Sequence, residues 1–106
     1  MSLPAEFLAD LPENLSPLAA GDLIHILDTS LERWGLHVAR KTRARLLRRC
    51  VAIGSGSALG HRRSNVATER PILFLVEEPF VIAYDPATRR VLRILDGARD
   101  VGRLVR

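Results

Sequence analysis

The stretch that most restricts the fold is "ILFLVEEPFVIAYDPATRRVLRIL", residues 72–95, in which three apolar runs are separated by only "EEP" and "DPATRR". Parallel neighbours in a sheet need a crossover of about a dozen residues or more, so connections this short admit only an antiparallel meander. Asp85-Pro86 supplies the chemistry of a tight turn between the second and third runs. "ILFLV" is apolar on both faces and predicts a central, covered strand. In "VLRIL" a period of two places Leu92 and Ile94 on one face and Val91, Arg93 and Leu95 on the other. Arg93 is therefore expected on the face that other elements leave open.

Upstream the period changes. Leu23, Leu27 and Leu31 recur every four residues with Ile24 and Trp34 beside them, which predicts an amphipathic helix from residue 18 to a stop at Gly35. A second helix is expected over residues 36–53, with Val38, Thr42, Leu46, Cys50 and Ile53 on its apolar face. Arg40, Lys41, Arg43, Arg45, Arg48 and Arg49 charge its remaining surface. One glycine between the helices leaves room for only a tight turn, hence an antiparallel helical hairpin. "GSGSALG" then reads as a connector carrying His61-Arg62-Arg63. Residues 1–14, with two of the prolines, read as an extended arm or a short first strand near residues 11–15. The expected architecture is α+β: an arm, a helical hairpin and a three- to four-stranded antiparallel sheet, in one domain over residues 1–106.

At 106 residues the chain can bury one modest core. It has no apolar run near the ~20 residues that span a bilayer and no leader-like N-terminus, so a cytoplasmic location is expected. The lone Cys50 excludes an internal disulfide and lies in a helical pattern as a small buried hydrophobe. His25, His37 and His61 lack metal-ligand spacing, and no metal or other cofactor is expected. "GSGSALG" matches neither phosphate-loop pattern and follows a helix instead of opening one. Phe74, Phe80, Tyr84 and Trp34 occupy core or half-core positions and leave little for base stacking.

Charge is the remaining signal. The formal net charge is +4, and all basic residues but Lys41 are arginine, whose planar fork suits phosphate or carboxylate. Arg62, Arg63, Arg70, Arg93 and Arg99, with Asp100, are candidates for a basic patch around the sheet if the fold brings them together. Arg93 is explained at least as well by simple alternation on a solvated face, and Arg99 with Asp100 equally well as a pair that clamps the C-terminal tail to the sheet.

The order of elements and the residues filling them resemble the RelE/ParE superfamily of type II toxin–antitoxin systems. "LSPLAAGDLIHILDTSLERWG" is similar to the first helix of ParE-type toxins, with a serine-proline start, Ala19, Asp22-Leu23 and a Trp-Gly turn. "SALGHRRSNV" resembles the following loop, and "ERPILFLVEEPFVIAYDPATRRVLRILDGARDV" the C-terminal meander. The resemblance implies a toxin that binds DNA gyrase and a cognate antitoxin that neutralises it, with a homodimer or a toxin–antitoxin hetero-oligomer as possible assemblies. Two departures stand out. Asp96 occupies a position where many ParE-type members carry histidine. The ribosome-dependent RNases of the superfamily place basic residues where this chain has Ile72, Phe74 and Val81, and a tyrosine near Val105. Cleaving RNA through its own 2′-hydroxyl needs a general base, an acid and cations around one phosphate. The enzyme alternative would rest on Tyr84, Arg93 and Arg99. A non-toxic binding module of the same fold is the third reading, and the balance of residues favours a protein-binding inhibitor.

Overall fold

Ser16 opens the helical layer of the structure, a computed structural model that describes residues 3–62 and 71–97. Its hydroxyl accepts from the Ala19 amide at 3.0 Å and donates to the Leu92 carbonyl at 2.9 Å, so one side chain caps a helix and ties it to the sheet. Helix α1 (Pro17–Trp34) starts with proline at its first position, where the missing N–H costs nothing. It ends at Gly35, whose φ of 89° permits the sharp reversal into α2 (Leu36–Ser55). Gly56, in the left-handed conformation, closes α2 by donating to the Ala52 and Ile53 carbonyls, and the Ser57 amide also reaches Ala52 at 2.9 Å. The first half of the "GSGSALG" connector is thus the end of the helix and its cap.

The helical stripes differ from expectation in two places. α2 buries Ala39, Thr42, Leu46, Cys50 and Ile53, leaving Val38 exposed. Successive steps of four each advance the stripe about 40° beyond a full 3.6-residue turn; a step of three from Ala39 corrects the drift. α1 buries Ala19, Leu23, Ile26 and Leu27, while Ile24 is exposed and Trp34, in the last turn, is 69% exposed.

The meander is confirmed as an antiparallel sheet of three strands among the described residues: β1 (Leu73–Glu77), β2 (Phe80–Asp85) and β3 (Arg90–Asp96), side by side in that order. Glu78 and cis-Pro79 join the first two. In the second turn the Asp85 carboxylate accepts from the Ala87 amide at 2.8 Å. The covered, central strand is β2, and β1 lies at an edge. An apolar run alone does not distinguish the two positions, because an edge strand that packs on both faces looks the same. The alternation expected for β3 is also corrected. The register runs Ala83 to Arg93 and then Tyr84 to Val91, leaving Leu92 as the extra residue of a bulge. Val91, fully buried, takes the helix-facing place expected for Leu92, beside Ile94.

Helix-facing Leu73, Leu75, Phe80, Ile82, Tyr84, Val91 and Ile94 join the inner sides of α1 and α2 in the main core. A smaller apolar cluster of Phe74, Val81, Ala83 and Leu95, with Ile72 against it, lies on the opposite face. The N-terminal residues form a short 3-10 turn, Ala5–Leu8, in place of a first strand, and Leu15 makes a single parallel bridge to Val91. Phe7 on that turn is 1% exposed within the main core, a burial that contributes about 1.5–3 kcal/mol. No helix among the described residues is long and apolar enough to cross a membrane.

Candidate functional site

Arg93 is the best-defined member of the expected basic set, and its guanidinium is engaged within the molecule. Its register opposite Ala83 puts it on the outward face, as expected, but it lies on the edge strand β3 and reaches around that edge to α1. There its Nε and Nη2 donate to the two carboxylate oxygens of Asp22 at 2.8 and 2.9 Å. Asp22 Oδ2 also accepts the Ile94 amide at 2.9 Å, satisfying a backbone donor on the open side of β3. A two-pronged pair of this kind fixes orientation as well as charge. Farther along, the Val91 amide donates to the Asn14 carbonyl at 2.7 Å, and the Ser16 amide to Val91 at 2.9 Å. The edge of β3 is therefore closed against pairing with another chain by residues 14–16 and Asp22.

Tyr84 and Arg93 do not converge. Tyr84 faces the helices, 3% exposed, and its hydroxyl accepts the Gly60 amide at 2.7 Å. Arg93 occupies the opposite face. On the face of the sheet turned away from the helices, Phe74, Val81, Ala83 and Leu95, with Ile72 against them, form a buried apolar cluster, and none of the described residues in it is an acid or a base. Gly60 lies so close that an added Cβ would stand 2.7 Å from the Phe74 carbonyl oxygen and 2.9 Å from Tyr84 Cε1. That contact and the reciprocal 2.8 Å bonds between His61 and Phe74 fasten the connector along β1.

Arg62 is exposed immediately after that bridge. Its neighbour His61 flanks β1 and Arg93 belongs to β3, so three strand spacings, roughly 14 Å, separate the two backbones. Arg63, Arg70, Arg99 and Asp100 lie outside the described residues. Asp96 is exposed at the end of β3, opposite Phe80, and Gly97 follows with φ 77°, a conformation glycine adopts without strain.

Other arginines form a cluster that sequence reasoning did not single out. Arg49 Nε donates to one oxygen of Glu77 at 2.9 Å, and Arg45 donates to the other from Nε and Nη2 at 3.1 and 2.9 Å. Arg45 Nη2 also reaches the Glu78 carbonyl. The Arg49 hydrogen bond, followed by that of Arg45 and the positive field of both, holds the Glu77 carboxyl below its ordinary value against the opposing effect of burial. Reading "EEP" as a turn hides this cluster: Glu77 is instead the last residue of β1, opposite Phe80 and on the helix-facing side. His25, His37 and His61 are exposed, and no group of three potential metal ligands occurs among the described residues. Cys50 is buried, as expected, and desolvation pushes its thiol up to about 12.

A helical hairpin on a three-stranded antiparallel meander, with its far edge closed by the segment before α1, matches the architecture implied by the resemblance to RelE/ParE toxins. The family model described as "ParE toxin of type II toxin-antitoxin system, parDE" matches residues 14–101. The chain belongs to this family. It is a toxin of the ParE/RelE type, and membership implies a cognate antitoxin as its partner. No curated protein matches the chain in a sequence search.

Proposed function

We propose that the protein inhibits growth by binding DNA gyrase, and that its cognate antitoxin neutralises it by covering the binding surface. The observation that carries this reading over a nuclease is the apolar cluster on the face of the sheet turned away from the helices. Ile72, Phe74 and Val81, where a nuclease of the superfamily would place cations, are packed together as an apolar cluster. Tyr84 is buried on the other face with its hydroxyl committed to Gly60, and Arg93 is held by Asp22. General acid–base chemistry requires groups within hydrogen-bond reach of one reacting centre, and these do not share one. Binding a protein surface needs only complementary shape and charge, with arginine forks fixing orientation.

Arg62, Arg63, Arg70 and Arg99, with Asp100, remain the residues proposed for target contact. Arg93 is assigned instead to holding β3 on α1. The test is inducible expression of the toxin alone and with its antitoxin, following growth, plasmid topology and mRNA integrity together. Growth arrest with loss of negative supercoiling and intact mRNA supports the reading. Arrest with codon-positioned mRNA cuts and normal plasmid topology overturns it.

A further inference from the structure

Charge is divided sharply along the chain. Residues 1–32 contain six acids (Glu6, Asp10, Glu13, Asp22, Asp28 and Glu32) and no lysine or arginine. α2 contains six basic residues and no acid. The N-terminal arm brings the two together. Glu6 accepts from Arg40 Nε at 2.8 Å, Arg43 Nε donates to the Phe7 carbonyl at 3.2 Å, and Arg43 Nη2 donates to the Ala9 carbonyl. Asn14 Nδ2 reaches the Cys50 carbonyl at 3.0 Å, so the arm runs alongside α2 in the same direction, from its first turns to its last. Between these polar contacts Phe7 is the one fully buried side chain, while Glu6 and Leu8 on either side are exposed. The match to the toxin family covers residues 14–101, so this stretch precedes the matched region.

We propose that residues 3–13 are a displaceable strap that occupies, in cis, a binding groove along α2 for an acidic polypeptide segment of another protein carrying one large apolar anchor. The strap shows what the groove accepts: a carboxylate and two backbone carbonyls on Arg40 and Arg43, with an aromatic ring buried in the main core. A partner segment of the same chemistry would have to lift the strap before it could bind. The strap is held to the rest of the chain by Phe7, by Leu3 and Leu11 against the core, and by the Arg40 and Arg43 contacts. Within the turn only the Phe7 amide on Pro4 and the Ala9 amide on Glu6 are hydrogen-bonded, at 3.0 and 3.4 Å. A tethered segment competes at an effective concentration of about a millimolar, and tethering of this kind changes apparent affinity by about 100-fold or more.

The test uses the full chain and a fluorescein-labelled synthetic peptide of residues 3–13 as the probe. Amide hydrogen exchange should show the Phe7 and Ala9 amides opening at least ~10-fold more readily than those of Leu46 and Cys50 in α2, as expected for local release. Fluorescence anisotropy should show the peptide binding the Phe7→Ala chain about 100-fold more tightly than the unaltered chain. Replacing the peptide's own Phe7 by alanine, or adding Arg40→Glu and Arg43→Glu to the chain, should abolish binding. Strap amides that exchange only with α2 overturn the proposal. So does a folded Phe7→Ala chain that takes up no peptide. If Phe7→Ala unfolds the chain outright, the strap is part of the cooperative core and the proposal fails.

Discussion

Replacing Asp22 with alanine should cost the protein more stability than any other single change on the exposed side of α1. Three donors converge on that carboxylate: Arg93 Nε at 2.8 Å, Arg93 Nη2 at 2.9 Å and the Ile94 amide at 2.9 Å. Hydrogen bonds to a charged group are worth ~1.5–3 kcal/mol each where water is excluded. Here the Arg93 side chain is 34% exposed, so solvent recovers much of its loss and the pair is worth only about 1 kcal/mol. Stranding the Ile94 amide adds roughly 1–2 kcal/mol. The expected total for Asp22→Ala is therefore about 2–3 kcal/mol, or roughly a 10–15 °C fall in Tm for a chain of this size. Asp22→Asn keeps an acceptor for the Ile94 amide and should lose only about 1 kcal/mol. Arg93→Ala should also lose about 1 kcal/mol, and the double variant less than the sum, with a coupling near 1 kcal/mol. Urea unfolding of the four variants at pH 7 measures all of these. Asp22→Ala within ~0.5 kcal/mol of the unaltered protein, the range of an ordinary surface change, would refute the clamp.

Three further outcomes follow from the geometry. Gly60→Ala should destabilise by about 1–3 kcal/mol, because its new methyl group meets backbone atoms of β1 that cannot rotate away; circular dichroism during heating would show it, and an unchanged Tm would contradict the contact. Cys50 should resist iodoacetamide in the folded state at pH 8 and react on unfolding, since burial raises its thiol to about 12; mass spectrometry distinguishes the two states. Glu77 has a lowered pKa, so its stabilisation is complete above the ordinary carboxylate value of 4.5 and is lost as pH falls through the folded-state value. Glu77→Gln should accordingly be less stable at pH 7, with the gap closing only below about pH 4.5; a gap independent of pH would indicate that the charge contributes nothing.

The helices and strands were legible because their signals are local. A four-residue leucine spacing, Gly35 and two short turns specify elements and connections without reference to distant residues. What failed were features that depend on neighbours. Leu92 was assigned to the helix-facing side by strict alternation, and the bulge opposite Ala83 and Tyr84 gives that place to Val91. Residues 72–76 looked central because an apolar run records burial on two faces but not which edges are hydrogen-bonded. Trp34 reads as core by residue type, yet it ends α1 and is exposed. Arg93 was correctly placed on the outward face, but its partner lies 71 residues away on α1, and no spacing rule reports such a pair. Phe7 was invisible for the same reason: one aromatic residue in a proline-bounded arm has no period.

The action proposed for this ParE-family toxin is the binding of DNA gyrase, with RNA left uncut. Purified toxin added to a DNA gyrase supercoiling assay tests it most directly, with a parallel translation reaction scored for mRNA cleavage. Dose-dependent loss of supercoiling, reversed by the antitoxin, beside uncut mRNA is the expected result. Full supercoiling activity beside mRNA cut at codon positions would contradict it.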